Sequence, residues 1–374
     1  METHDADITI IGAGIAGATA AAALAAEHRV ALIEMEEAAG YHTTGRSAAI
    51  WVRNYGPPDV RALAGLSRGF FETPPSGFAE IPLLSRRAVV MLATASRQAE
   101  FAAALAEGQG VREIAIDALC RRVPALRQDY AVAAMIEEDA FDMDVAALHQ
   151  GFLKQLRSRG GTLALRHRAG RIERRNGVWQ VETSAGTVFC SPVVVNAAGA
   201  WGDAVAALAG VAPIGLVACR RTAAIVNPAP YEVADWPFLG DVGDTWYARP
   251  EARTRLMVSP ADETPMAPHD VQPEELDVAI AIERMQQALD IPVRRVERSW
   301  AGLRTFTPDG SLALGWERDA AGFFWSVGQG GYGIQTAPAA GLLVADLVAG
   351  RDPGPAAGIV AAVDPMRFRR SAGP

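Results

Sequence analysis

The chain has 374 residues, half of them apolar and 21% charged, and at roughly 100–200 residues per domain that length points to two or three folding units. Such a composition buries a sizeable core and excludes a disordered, collagenous or disulfide-stapled chain. The formal charge of −8 argues against a nucleic-acid or anionic-membrane partner.

The acidic opening, Met1 to Asp5, runs straight into a strand, so a cytoplasmic protein with no signal peptide is expected. Ile8 to Ile11 is a short apolar run followed at once by a glycine cluster, an alanine-rich helical stretch over 16–26 and a second apolar run, Val30 to Ile33. Strand, turn, helix, strand is how a doubly wound α/β sheet opens. Helical spacing recurs over 60–71 and 98–106, separated by the Pro74-Pro75-Ser76-Gly77 turn, and over 144–156, stopped by Gly160-Gly161. Short strands are predicted at 162–166, 171–175, 178–182 and 192–196, with Asn176-Gly177 and Ala185-Gly186 as turns. Strands at 220–226, 254–259 and 323–327 and helices over 273–289 and 336–347 follow, and the tail after Gly350 packs over the surface. The uncharged stretches 183–202 and 322–345 are broken by Gly, Pro, Asn or Gln and predict no integral membrane span, with peripheral contact left open. Cys120, Cys190 and Cys219 form no CxxC pair; reduced thiols and no metal site are expected.

Gly12-Ala13-Gly14-Ile15-Ala16-Gly17 matches GxGxxG between a strand and a helix. The first glycine permits the tight turn, the second lets backbone approach a pyrophosphate, and the third packs helix on strand. The helix N-terminus offers free N–H groups and positive dipole to phosphate. Glu34 ends the next strand, where an acid accepts hydrogen bonds from a ribose diol. A distant strand, Val193 to Asn196, then ends in the small residues Ala197-Ala198-Gly199-Ala200 before Trp201. Together the two segments favour FAD over a nicotinamide cofactor.

Four further strings carry a resemblance: Tyr41 to Ala49, Asn196 to Trp201, Trp300-Ala301-Gly302-Leu303-Arg304, and Gln329 to Thr336. With them the chain resembles the glycine oxidase/D-amino-acid oxidase (DAO) family of FAD-dependent amine oxidoreductases, nearest its bacterial D-arginine dehydrogenases. The resemblance implies a Rossmann-like FAD-binding domain made of 1–50, 145–215 and 300–374. It implies a substrate domain made of 51–144 and 216–299, with a mixed, mainly antiparallel sheet. Cofactor contacts would come from Gly12, Gly14, Ile15, Ala16, Gly17 and Glu34, and from Thr43, Thr44, Gly45, Arg46, Ser47, Ala48 and Ala49 lining the flavin. Ala198, Gly199, Trp201 and Arg304 would join them, with Gly330, Gly331, Tyr332, Gly333, Ile334 and Gln335 on the ring's other side. No cysteine follows Cys219, so FAD is expected to be held non-covalently.

By the same resemblance Arg221 and Arg304 bind the substrate carboxylate, a task suited to the planar, permanently charged guanidinium. Tyr247 assists them, Tyr55 sits on a loop at the pocket mouth, Gly331 offers its carbonyl to the amine, and Gln335 offers its amide. His42 is expected to be structural. The implied reaction is oxidative deamination: the Cα hydrogen passes as hydride to the flavin, and the imino acid hydrolyses to a 2-oxo acid and ammonia. Where the arginine-oxidising members carry a glutamate and a histidine around the substrate side chain, this chain has Val89 and Ile50. A buried guanidinium without a partner costs several kcal/mol, so apolar D-amino acids are expected to be preferred, unless Glu80 or an acid from 137–144 replaces the glutamate. The single lysine, Lys154, lies away from the flavin segments. That favours a dehydrogenase feeding a quinone or other acceptor over an oxidase using O2. Oxidation of secondary amines such as sarcosine or D-proline is the alternative, a flavin-binding subunit without turnover a further one, and a monomer or homodimer is expected.

Overall fold

A computed structural model describes residues 2–369. Its first organising element is a six-stranded sheet in the order Thr162–Ala164, Val30–Ile33, Ile8–Ile11, Val193–Asn196, Phe323–Val327, Ala313–Trp316. All pairings are parallel except the last. Its central strands are predominantly aliphatic or aromatic and buried end to end, as strands covered on both faces must be. Helix Ile15–Leu24 is apolar all round and almost wholly buried, wedged between helices Val145–Ser158 and Gly333–Ala349. The contact with the latter is tight: a side chain at Gly341 would lie 2.4 Å from Thr19 Oγ1, and that hydroxyl donates to the Ala337 carbonyl at 2.9 Å.

A four-stranded sheet, Glu2–Asp5, Thr187–Ser191, Val178–Thr183 and Ala169–Arg175, packs beside it. Its hairpin turns through Asn176 (φ 51°) and Gly177 (φ 84°), the left-handed pair that a two-residue turn between twisted strands requires.

The third element is a nine-stranded, mainly antiparallel sheet. From one edge it runs Thr264–Pro265, Val217–Val226, Arg255–Ser259, Tyr247–Glu251, Phe238–Asp241, Val89–Ala93, Ala133–Glu137 and Val111–Glu113, with Val296–Phe306 paired along Val217–Val226. A small sheet of Ile50–Trp51, Phe141–Met143 and Leu84–Arg86 joins the lobes. The architecture is thus α/β, a parallel doubly wound unit with a mixed sheet facing it. Most of the large sheet's strands escape the sequence reading, because runs such as Tyr247–Glu251 are short and interrupted by charge or proline. The last long helix begins at Gly333, three residues before the predicted start. Among the described residues no single helix is long and apolar enough to cross a membrane.

Candidate functional site

Between the parallel sheet and the mixed sheet lies a cavity of about 410 Å3. At one end it is walled by Gly12, Gly14, Ile15, Ala16 and Glu34. Gly12 has φ 103°, and a Cβ there would stand 2.5 Å from the Ala197 carbonyl oxygen, where the returning strand passes. A Cβ on Gly17 would meet the Gly12 oxygen at 1.8 Å, so this glycine lies beneath the loop and does not line the cavity. Glu34 is buried; its oxygens accept from Ala13 N at 2.8 Å and Glu36 N at 3.0 Å. Each carboxylate oxygen retains a free lone pair.

The middle is formed by Thr43, Thr44, Arg46, Ser47 and Ala48 facing Ala198, Gly199 and Trp201. Thr44 Oγ1 accepts from Ile15 N at 2.9 Å, and Thr43 Oγ1 donates to the Leu303 carbonyl at 2.7 Å. Arg46 straps this segment to the mixed sheet through the carbonyls of Val271 (2.9 Å) and Ala301 (3.0 Å) and an ion pair with Asp270. Gly45 forms the turn itself, its would-be Cβ 2.7 Å from Gly40 O, and the Ala49 carbonyl accepts from Arg249 at 3.1 Å; neither lines the cavity. His42 pairs with Glu36 at 2.9 Å and packs on Trp201 with ring centroids 4.7 Å apart, contacts that hold the loop.

At the far end stand Arg221, Tyr247, Arg304, Gly330, Gly331, Gly333 and Ile334. Strand register explains why both arginines come to one face. Cys219 opposes Arg304 and Arg221 opposes Gly302, so the arginines are diagonal neighbours on the same side, typically ~7–8 Å apart by backbone. Ala224 opposes Val258 and Tyr247 opposes Ser259, and alternation puts Tyr247 on that face too. Arg220 points the other way, to Glu274 and to Asp277 at 2.7 Å. Arg221 donates to Glu263 at 2.6 Å and lies 3.8 Å from Asp244, while its Nε and Nη1 are buried with no partner among the described residues. Arg304 Nη1 donates to the Tyr55 hydroxyl at 3.0 Å. Burial opposes the Arg304 charge, yet Tyr55, Tyr247, Asp244 and Glu263 hold its pKa above the usual arginine value.

Gly330 N donates to Thr305 O at 2.8 Å, bringing the 330–334 segment against this strand. A Cβ on Gly331 would lie 2.6 Å from the Tyr55 hydroxyl and 2.9 Å from Arg304 Nη1. Tyr55 and Tyr332 meet edge to face at 5.4 Å. Gln335 is buried behind them, accepting from Val52 N at 3.2 Å, with its Nε2 unpartnered. Tyr55, Tyr332 and Gln335 therefore border the arginine end without lining the cavity. Val89 is buried in the mixed sheet between Phe238 and Glu137, and Ile50 pairs with Asp142; neither is among the residues lining the cavity, although Val89 shares the sheet face of Phe238 and Tyr247.

His149 carries no sequence signal, since it sits inside an ordinary helical repeat. It is buried, and its Nε2 lies 2.9 Å from the Ala13 carbonyl inside the glycine loop. Burial pushes its pKa below the ordinary imidazole value, so the neutral ring donates. The unfolded chain takes up this proton near pH 6.5 while the folded chain resists it, and stability therefore falls as pH drops below about 6.5. Melting curves between pH 7 and 5 are expected to show that loss. His149→Gln, which can donate to the same carbonyl without titrating, should flatten it; an unchanged slope in the variant sinks the assignment.

The glycine cradle, the free capacity of Glu34 and the unpartnered guanidinium nitrogens suit an elongated ligand with a pyrophosphate and a ribose at one end, beside an anionic co-ligand at the other. Among the described residues no group of three or more His, Cys, Asp or Glu could hold a metal. Solved structures with the same fold include glycine oxidase from Geobacillus kaustophilus, 22% identical over 99% of this chain and 100% of that one, TM-score 0.83. L-proline dehydrogenase from P. horikoshii is 20% identical over 98% and 99% of the two chains, TM-score 0.84. L-alpha-glycerophosphate oxidase from Mycoplasma pneumoniae with FAD bound is 14% identical over 93% and 95%, TM-score 0.83. The profile of the DAO family, described as FAD dependent oxidoreductase, matches residues 7–347, and with that match the chain belongs to the DAO family of FAD-dependent oxidoreductases.

Proposed function

We propose that the enzyme oxidises D-amino acids to imino acids, which water hydrolyses to 2-oxo acids and ammonia, with apolar side chains preferred over D-arginine. The observation that carries this reading is Arg221: two buried donors without partners, on the same sheet face as Arg304, leave a desolvated cationic site whose cost an incoming carboxylate removes. FAD would be held by the glycine loop, Glu34, the 43–48 segment, Ala198 to Trp201 and Gly330 to Ile334. Among the described residues no cysteine lines the cavity, which supports non-covalent attachment. Bound FAD supplies the two-electron acceptor for the substrate's Cα–H bond. Arg221 and Arg304 fix the carboxylate, with Tyr247 and Tyr55 beside it. The Gly331 carbonyl accepts a hydrogen bond from the amine, and Gln335 supports the loop opposite. The protein's contribution is orientation and exclusion of water.

The apolar preference rests on what surrounds this end. Tyr247 stacks on Phe238 with centroids 5.2 Å apart, in a cluster with Ala223, Ile225 and Met257. Among the acids of 137–144, Glu138, Asp139 and Asp142 are paired with arginines, Asp144 caps a helix, and both Glu137 oxygens accept hydrogen bonds. Glu80 is exposed and lines none of the cavity. An anaerobic screen of D- and N-methyl amino acids, read by loss of flavin absorbance, tests the reading. kcat/KM for D-leucine or D-methionine is expected to exceed that for D-arginine by about thirtyfold or more, given several kcal/mol for an unpaired buried guanidinium. Parity would remove the side-chain claim, and turnover confined to N-methyl substrates would move the enzyme to secondary amines.

We further propose a dehydrogenase that passes electrons to a quinone or similar acceptor. Among the described residues no lysine lines the cavity; Lys154 donates to the Gly77 carbonyl at 2.9 Å. Reduced enzyme mixed with air-saturated buffer in stopped flow should reoxidise slowly, and reoxidation as fast as turnover makes it an oxidase.

A further inference from the structure

Residues 52–57 link the Ile50–Trp51 strand to helix Pro58–Glu72 and carry Tyr55. This short connection is fastened from two sides. Val52 N donates to Gln335 Oε1 at 3.2 Å, on a helix of the parallel-sheet lobe. Arg53 N donates to Glu137 Oε1 at 2.8 Å, and Asn54 Nδ2 to Glu137 Oε2 at 2.7 Å, on a strand of the mixed sheet. Asn54 is also locked to a second loop, its Nδ2 donating to Gln109 O at 2.9 Å and its Oδ1 accepting from Gln109 N at 2.8 Å. Glu137 itself is 5% exposed, and burial raises its carboxyl pKa. Loop backbone is ordinarily satisfied by water, and burying a carboxylate costs free energy unless its oxygens are well used. Here both are spent on one loop.

We propose that Glu137 is a positioning residue for the substrate site: it clasps Arg53 and Asn54 to the mixed sheet so that the Tyr55 hydroxyl meets Arg304. The place it fixes is narrow. Tyr55 Oη is 3.0 Å from Arg304 Nη1 and is packed over Gly331, where even a methyl group would stand 2.6 Å away. Release of the clasp lets the loop lift, freeing the Arg304 fork to turn and opening the arginine end to water. This proposal deepens the substrate reading above and rests on it for its kinetic consequence, whereas the fastening of the loop is measurable without any substrate.

Glu137→Gln keeps the size but presents one acceptor and one donor to two donors. The Arg53 N–H is fixed in the backbone, and Asn54 can turn its amide only by surrendering both bonds to Gln109. One bond of the clasp is therefore lost. Asn54→Ala removes the other half from the loop side and leaves the buried strand untouched. With the FAD-loaded enzyme and its best D-amino acid, both variants should raise KM about tenfold while kcat changes less than about threefold. Trypsin should cut after Arg53 at least about fivefold faster in both, with flavin retained, as expected for local opening of a released loop. Unchanged KM and unchanged cleavage in both variants would overturn the proposal. So would loss of flavin and melting temperature in Glu137→Gln with normal KM in the flavin-loaded remainder, because that pattern marks a structural acid. If no amino acid is oxidised at all, the substrate reading fails, and the cleavage rates still decide whether Glu137 holds the loop.

Discussion

Arg304→Ala is expected to lower kcat/KM for the best D-amino acid by roughly 10²–10³-fold while the protein still binds FAD. Removing one partner of a desolvated charge pair costs about 2–5 kcal/mol, and each 1.36 kcal/mol is a factor of ten in rate. The loss should fall on both constants. KM rises because the carboxylate keeps only Arg221, which already shares its Nη2 with Glu263. kcat falls because a zwitterion held at one point swings its Cα–H away from the productive line. Tyr55 also loses its donor. Arg304→Lys retains the charge and loses the planar fork, and should land between the parent and the alanine variant. Steady-state kinetics with the flavin spectrum as a folding control decide the matter: Arg304→Ala within threefold of the parent removes the arginine grip from the mechanism.

How visible this site is in the sequence depends on how far apart its parts lie along the chain. The glycine loop, its flanking strands and Glu34 are local, and their spacing alone predicts the geometry found. The arginine end is not local. Arg220 and Arg221 stand side by side, and composition cannot say which faces the cavity. That choice is made by the pairing of Val217–Val226 with Val296–Phe306, a register fixed by tertiary contacts. The alternation then sends Arg220 to Asp277 and Arg221 to the cavity. The family resemblance names Arg221 and Arg304, and the strand register brings both to this face, where periodicity is silent. Val89 and Ile50, aligned by the same resemblance, are not among the cavity's lining residues, although Val89 stands beside Phe238 on the sheet face that carries Tyr247. His149 and Glu137 are missed for another reason. His149 donates to a backbone carbonyl of a distant loop, and Glu137 accepts from a backbone N–H and the Asn54 amide of another; such partners leave no trace in side-chain spacing.

Gly12→Ala is expected to yield protein that purifies colourless or nearly so, with FAD affinity reduced by roughly 10²-fold or more. Two penalties combine at this position. The φ of 103° lies where a side chain adds strain of ~1–3 kcal/mol. The new Cβ would also stand 2.5 Å from the Ala197 oxygen and 2.9 Å from its carbonyl carbon, and crowding of that kind costs a further ~1–3 kcal/mol. Neither neighbour can swing aside, because both belong to backbone pinned by Ala197 N to Ile11 O at 2.9 Å and Gly12 N to Ile33 O at 2.8 Å. The two strand ends must part, and they part at the wall of the cavity where the pyrophosphate would rest. Gly14→Ala is the control for mere bulk. Gly14 has φ −70° and its only close neighbour is the Thr44 hydroxyl at 3.3 Å, so it should leave the apoprotein's melting temperature near the parent value. Any loss there should appear only on adding FAD, through the backbone's approach to the phosphates. Calorimetry of apo and FAD-loaded protein separates the two outcomes: Gly12→Ala lowers both transitions, Gly14→Ala only the second. Equal behaviour of the two variants, or a yellow Gly12→Ala protein with parental affinity, contradicts the close approach of the two strands on which the cofactor end is built.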